Sequence, residues 1–305
     1  MKQKRHFGVW AIVPVAVALS FLVGQVPSKW GLYSLYTTVA MPQFQKPKAV
    51  FHQDLPEELP PSPAVVEQTA SKGQLLNQTD YMPDMTKTAV PPLSDGPQVL
   101  ILCTHTCEAY TPSESFPYTP TDTDRTEDAN FNMIRIGREA KRVLEGMGIS
   151  VILDETVCDL PSYSGSYKKS LSVMEAQLQK YPSLSVVLDL HRDAIMLDDG
   201  SKVKLTTSIN GETVAQAMAV VGTDASGQAH PHWQENLAFA NAIQKTADRL
   251  FPNLMRPINL RTGRFNQQAS KGALLFEIGT SGNTLDEALL CIRYLAEAIG
   301  TTLKG

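Results

Sequence analysis

From Gln98 onward the chain alternates short, continuous apolar runs with segments whose apolar residues recur every three to four positions, and no other feature restricts its fold as severely. A run such as Val99 to Cys103, apolar at every position, must be covered on both faces, the condition of a strand inside a largely parallel sheet. The segments between such runs supply the cover. Met133, Ile136, Ala140, Val143, Leu144 and Met147 share one helical face, and Gly148 ends that helix before Ile149 to Leu153 returns to strand. A second helix is expected from Tyr167 to Tyr181, stopped by Pro182, and Leu184 to Leu190 follows as another buried strand. Val203 to Ile209 and Val214 to Val221 flank Asn210-Gly211, a pair suited to a type I′ turn, so a hairpin is expected there and the sheet is mixed. Trp233 to Phe251 reads as a helix, Ala273 to Ile278 as a strand and Leu285 to Leu303 as a closing helix. The expected fold class is therefore α/β, a mixed, mostly parallel sheet with helices on both faces, occupying residues 97–305.

Ahead of that domain the composition changes. Eleven of the 20 prolines lie between Pro27 and Pro97, which excludes long helices and central strands, so residues 28–96 are expected to form an extended Pro-rich linker. Lys2, Lys4 and Arg5 precede a charge-free apolar run from Phe7 to Val26, close to the roughly 20 residues that cross a bilayer as a helix. Residues 1–27 are accordingly expected to be a single-pass anchor in the cytoplasmic membrane, basic end inside; a cleaved signal peptide is the alternative. Both place the rest of the chain outside the cytoplasm. A net charge of -4 without a long basic block excludes the electrostatic footprint of a nucleic-acid binder. The four cysteines form no CxxC pair, which argues against a zinc ribbon or a thioredoxin-type site, and buried free thiols are expected rather than disulfides.

Three polar clusters fall at the carboxyl ends of expected buried strands, the edge where open α/β sheets bind ligands. They are Thr104-His105-Thr106-Cys107-Glu108, Asp189-Leu190-His191-Arg192-Asp193, and Glu277-Ile278-Gly279 with Asn283 nearby. Two neutral imidazoles and one carboxylate can hold zinc and leave a position open for water, and a further carboxylate can carry that water's proton to a leaving amine. This assigns His105, Glu108 and His191 as Zn2+ ligands and Glu277 as general base, with Glu127 as the alternative carboxylate ligand. Glu277 lies between Phe276 and Ile278, where an isolated buried carboxylate is costly unless it is paired, protonated or functional. Asp193 could orient a metal-bound imidazole or pair with Arg192. His230 and His232, flanking Pro231, fall in a polar loop where surface positions are the default.

The stretches VLILCTHTCEAYTP, VVLDLHRDA, HPHWQENLAFA, FNQQ and LLFEIGTSGNTLDEAL resemble, in order, the motifs of the stage II sporulation protein P family of endospore-forming bacteria. The resemblance spans residue 97 to the carboxyl terminus. It implies a fold similar to the zinc-dependent N-acetylmuramoyl-L-alanine amidases, hydrolysis of peptidoglycan at the amide and at peptide crosslinks, and action with the sporulation proteins D and M in septal remodelling and engulfment. His105, Glu108, His191 and Glu277 match its polar motif positions; Arg192, Asp193, Asn236, Asn266, Gln267 and Asn283 match cleft-associated ones, Arg192 taken with Glu277 as catalytic and the others as substrate-binding. The chain departs from the family where His-Thr-His-Thr is common and Cys103-Thr104-His105-Thr106 stands here. Two other readings remain in view: a cysteine hydrolase using Cys103 or Cys107, and a non-catalytic septal scaffold that binds peptidoglycan and partner proteins.

Overall fold

A computed structural model of the chain describes residues 64–70, 73–120 and 124–305. The expected anchor and the linker as far as residue 63 lie outside the described residues. Among the described residues no helix is long and apolar enough to cross a membrane.

In chain order the elements are β1 (Val65–Gln68), β2 (Leu75–Asn77), β3 (Val99–Leu102), α1 (Met133–Gly146), β4 (Val151–Leu153), α2 (Ser166–Lys180), β5 (Val186–Asp193), β6 (Lys202–Ile209), β7 (Glu212–Ala215), β8 (Ala217–Gly222), α3 (Trp233–Leu250), β9 (Ile258–Arg261), a 3-10 turn (Gln267–Ala269), β10 (Ala273–Thr280) and α4 (Leu285–Lys304). Seven strands form the main sheet in the order β2-β9-β8-β10-β5-β3-β4. β4, β3, β5 and β10 run parallel, β10 meets β8 antiparallel, and β8, β9 and β2 are parallel to one another. The sheet is mixed, as expected, although its antiparallel pair is β10 with β8 and not the Asn210-Gly211 hairpin.

Strand alternation divides the continuous apolar runs between two cores. Val99, Ile101 and Cys103 join Leu188, Leu190 and Phe276 in a core with residues of α1, α3 and α4, including Ile136, Ile243 and Ile292. Leu100, Leu102 and Val187 face the other way, against Met174 of α2. Helices therefore cover both faces. Their ends follow local chemistry: Asn132 caps α1 by accepting from the Ile134 amide at 3.0 Å, and Thr284 with Glu287 closes a capping box at the start of α4.

Three expectations need correction. Residues 64–96 are not all spacer: β1 pairs with β6 and β2 with β9, so the domain begins ahead of residue 97. Both are edge strands, which need pairing on one side only and tolerate flanking prolines. Second, Val214 to Val221 is two strands. β7 completes the Asn210-Gly211 hairpin with β6 in a three-stranded sheet, whereas β8 crosses into the main one. The break falls at buried Gln216, whose side chain donates to the Asn253 carbonyl at 2.9 Å and accepts from the Ala70 amide at 2.7 Å. Third, β9 is a strand of four residues with little periodicity for a sequence reading to register.

Candidate metal centre and active site

β3, β5 and β10 are neighbours, and their carboxyl ends bring the three polar clusters together. In β5 the alternation that sends Leu188 and Leu190 into the α1 core sends Asp189 and His191 to the α2 face. Glu277 is the register partner of His191 and Leu102 that of Asp189. Past β3 the chain turns sharply, with the Thr106 hydroxyl donating to the Cys103 carbonyl at 2.8 Å and the Cys107 amide to Asp159 at 3.0 Å. This turn delivers His105 and Glu108 beside His191. One ligand atom from each of His105, Glu108 and His191 lies within 4.8 Å of the others, and all three residues are buried.

The surroundings suit a cation. His191 Nε2 lies 3.1 Å from Asp189 Oδ1 but without the alignment of a hydrogen bond, and it and Glu277 Oε2 are buried atoms lacking a hydrogen-bond partner. His191 Nδ1 is 3.7 Å from Glu108 Oε2. Burial alone would lower the His191 pKa, yet the carboxylates of Asp189, Glu108 and Glu277 overcome it and raise the value to about 10. Burial raises Glu277 to about 8, opposed by the charge on His191. Burial also raises Glu108. His105 goes the other way, to about 4, because it is desolvated and sits beside His191. A neutral His105, an excess of carboxylates and two orphaned polar atoms form a set that fits a divalent cation such as zinc.

Further side chains position this set. Asp189 accepts from the Thr104 amide at 2.8 Å and the Thr104 hydroxyl at 2.6 Å, which fixes its carboxylate beside His191. Ser166 Oγ lies 3.3 Å from His105 Nδ1, and the Tyr163 ring stacks on the His105 ring at 4.2 Å, with the Arg125 guanidinium 5.1 Å from the Tyr163 ring centre. Tyr167 meets His105 edge-on at 5.4 Å. Sequence reasoning assigned no site role to Tyr163, Ser166 or Tyr167, and placed Asp189 in the cluster without a role toward the metal. Its signal was available: it stands two residues before His191 in a strand and therefore on the same face.

Several expected site residues are placed differently. Glu127 is exposed, and Glu108 accompanies the histidines instead. Arg192, on the opposite strand face from His191, donates from Nε to the Ala109 carbonyl at 2.9 Å and from Nη2 to the Asp124 carbonyl at 3.1 Å, while its amide donates to Glu108 Oε2 at 3.3 Å. Through these bonds it holds the Glu108 loop. Asp193 pairs with Arg256 at 2.8 Å, neither with Arg192 nor with an imidazole.

The amides expected to bind substrate are engaged with backbone. Asn236 donates to the Ser270, Lys271 and Ala273 carbonyls, and it accepts from buried His230, which is not the surface residue its polar loop suggested. Gln267 clips the end of β8 through the Val220 carbonyl and the Gly222 amide. Asn283 bonds Glu287 and the Thr280 amide, and Asn266 bonds the Tyr167 carbonyl and Ser170. The cysteine chemistry finds no support: all four thiols are free and buried, Cys103 faces the α1 core, and burial raises Cys107 to about 12.

A model of the stage II sporulation protein P family matches residues 42–300. The chain belongs to that family. It is 26% identical over 254 residues to stage II sporulation protein P of Bacillus subtilis (strain 168), an alignment covering 77% of this chain and 59% of that protein. The chain thus spans less than two thirds of that relative's length. Among solved structures it is similar to the N-acetylmuramoyl-L-alanine amidase AmiC2 of Nostoc punctiforme, at 13% identity and a TM-score of 0.38, covering 69% of this chain and 97% of that one. It is also similar to the CwlD amidase from Clostridioides difficile, solved with the GerS lipoprotein, at 13% identity and a TM-score of 0.40, covering 68% and 96%. The family match takes in residues 64–96, where β1 and β2 lie.

Proposed function

We propose that this member of the family is a zinc-dependent peptidoglycan hydrolase that cleaves the N-acetylmuramoyl-L-alanine amide, and peptide crosslinks as well, in septal remodelling and engulfment during sporulation. The observation that carries the reading is the convergence of His105, Glu108 and His191 within 4.8 Å, beside Glu277 on the adjoining strand. In this reading those three side chains hold the metal and Asp189 orients His191. When bound, zinc supplies the Lewis acid that polarises the scissile carbonyl and acidifies an attacking water.

Glu277 takes a proton from that water at the carboxylate oxygen left without a partner and hands it to the leaving amine. Burial raises its proton affinity in the metal-free chain, which favours holding the proton, and a cation bound nearby would lower that affinity again toward the range of a base. Tyr163 and Tyr167 flank His105 and hold its ring in place. The chain works from the outer face of the cytoplasmic membrane, held by residues 1–27, with the sporulation proteins D and M as partners.

The test is hydrolysis of purified peptidoglycan by the full chain, with and without a chelator, with fragments identified by mass spectrometry. Stem peptides released only when metal is present are the expected result. No release after addition of zinc and the sporulation proteins D and M would replace the hydrolase with a non-catalytic scaffold.

A further inference from the structure

Tyr167, which neighbours both histidines, also lines a cleft of about 470 Å³ whose walls include Lys168, Leu171, Arg264, Phe265 and Asn266. Tyr167 is the shared wall. Its ring lies 6.3 Å from that of His191 and 6.2 Å from that of Phe265. The two ring separations together correspond to about four residues of extended peptide, at roughly 3.3 Å per residue.

The cleft carries uncompensated positive charge. Among the described residues neither Lys168 nor Arg264 has a carboxylate partner; Arg264 donates only to the Ala229 carbonyl, at 3.2 Å. The loop presenting Arg264 is built for its position. Phe265 and Asn266 are consecutive left-handed residues, with φ of 49° and 58°, a conformation that non-glycine residues keep only when their surroundings impose it. Here the imposition is visible: Asn266 donates to the Tyr167 carbonyl at 2.7 Å and to Ser170 Oγ at 3.1 Å, and the loop packs so closely on β8 that a Cβ at Gly222 would collide with the Gly263 carbonyl. Ser170 Oγ is in turn 2.7 Å from Thr104 Oγ1, which donates to Asp189. One hydrogen-bonded chain thus ties the cleft wall to the carboxylate beside His191.

We propose that this cleft is a subsite for an acidic peptide segment of the substrate, with Lys168 and Arg264 receiving a carboxylate and Tyr167 and Phe265 covering the apolar part. The proposal rests on the hydrolase reading for the direction from which substrate arrives, and its test reads binding alone. The probes are a stem-type peptide, L-Ala-γ-D-Glu-L-Lys with free carboxylates, and its fully amidated analogue, titrated calorimetrically into the full chain at low and high salt. The free acid should bind about tenfold more tightly at low salt, and the preference should shrink at high salt because exposed charges are screened. The double variant Lys168→Ala/Arg264→Ala should erase the preference while zinc affinity and Tm stay unchanged, and Lys168→Arg should retain it.

Equal binding of the two peptides, a preference that survives the double variant, or no binding of either at millimolar concentration overturns the subsite. Peptidoglycan hydrolysis is scored separately. Its absence with the acid preference intact removes the reaction and leaves the subsite, and hydrolysis without acid preference does the reverse.

Discussion

Glu277→Gln preserves the shape of the side chain and removes its charge, so it separates the cost of burying this carboxylate from its use. Glu277 rises from 4.5 to about 8 on folding of the metal-free chain, with burial as the leading cause. At about 1.4 kcal/mol per pH unit, the ionised form carries a penalty of at most about 5 kcal/mol. The sign follows from the raised folded value: the contribution of Glu277 to stability is fully present below pH 4.5 and is lost as pH rises through about 8. Urea unfolding of the metal-free full chain should therefore give nearly equal stabilities for wild type and Glu277→Gln at pH 5. At pH 9 the variant should be more stable by several kcal/mol, up to about 5. Bound zinc, a nearby positive charge, should shrink that difference. In the peptidoglycan assay the same variant should lose on the order of 10²–10⁴ in rate, the usual contribution of a positioned acid–base group, while still binding metal. A variant no more stable than wild type at pH 9 would refute the burial argument, and near-full turnover would refute the proton-transfer role.

Asp189→Asn should weaken zinc binding by roughly 10- to 100-fold, the usual effect of losing the carboxylate that orients a metal-bound imidazole, as read by competition with a chromophoric chelator. Zinc binding at pH 7 should expel a proton from His191, whose metal-free value is about 10, and the affinity should climb with pH until that value is passed; calorimetry in buffers of different ionisation enthalpy counts the protons. Removing residues 1–96 should lower Tm and promote aggregation relative to removing residues 1–63, since the longer deletion strips β1 and β2 from β6 and β9 and leaves unpaired strand edges. Chain-length series analysed by thermal unfolding and light scattering would show it.

The alternation of apolar runs made the α/β class legible because it is a local property: a strand buried on both faces must be apolar throughout, and a covering helix must carry a stripe. Leu184 to Leu190 and Ala273 to Ile278 could be read this way, as could the apolar stripe of α4. The same locality explains the misses. Proline density in residues 28–96 says what the backbone avoids, not which edge is open to receive a short strand. The run Val214 to Val221 is apolar on both sides of Gln216, and only the two sheets that receive β7 and β8 reveal the crossing.

The sequence by itself determined which residue types stand at the ends of the buried strands: His105, Glu108, His191 and Glu277, polar groups that the strand pattern does not require. The tertiary structure decided which of them meet, because strand order is set by packing between distant segments. Placing β5 between β3 and β10 puts Glu277 in register with His191 and turns Glu108 toward both histidines, while Glu127 stays exposed. It also decided that Arg192, Asn236, Gln267 and Asn283 serve the backbone. Each is buried or half-buried where carbonyls and amides lack partners, and a polar side chain in such a place is bound first by that need.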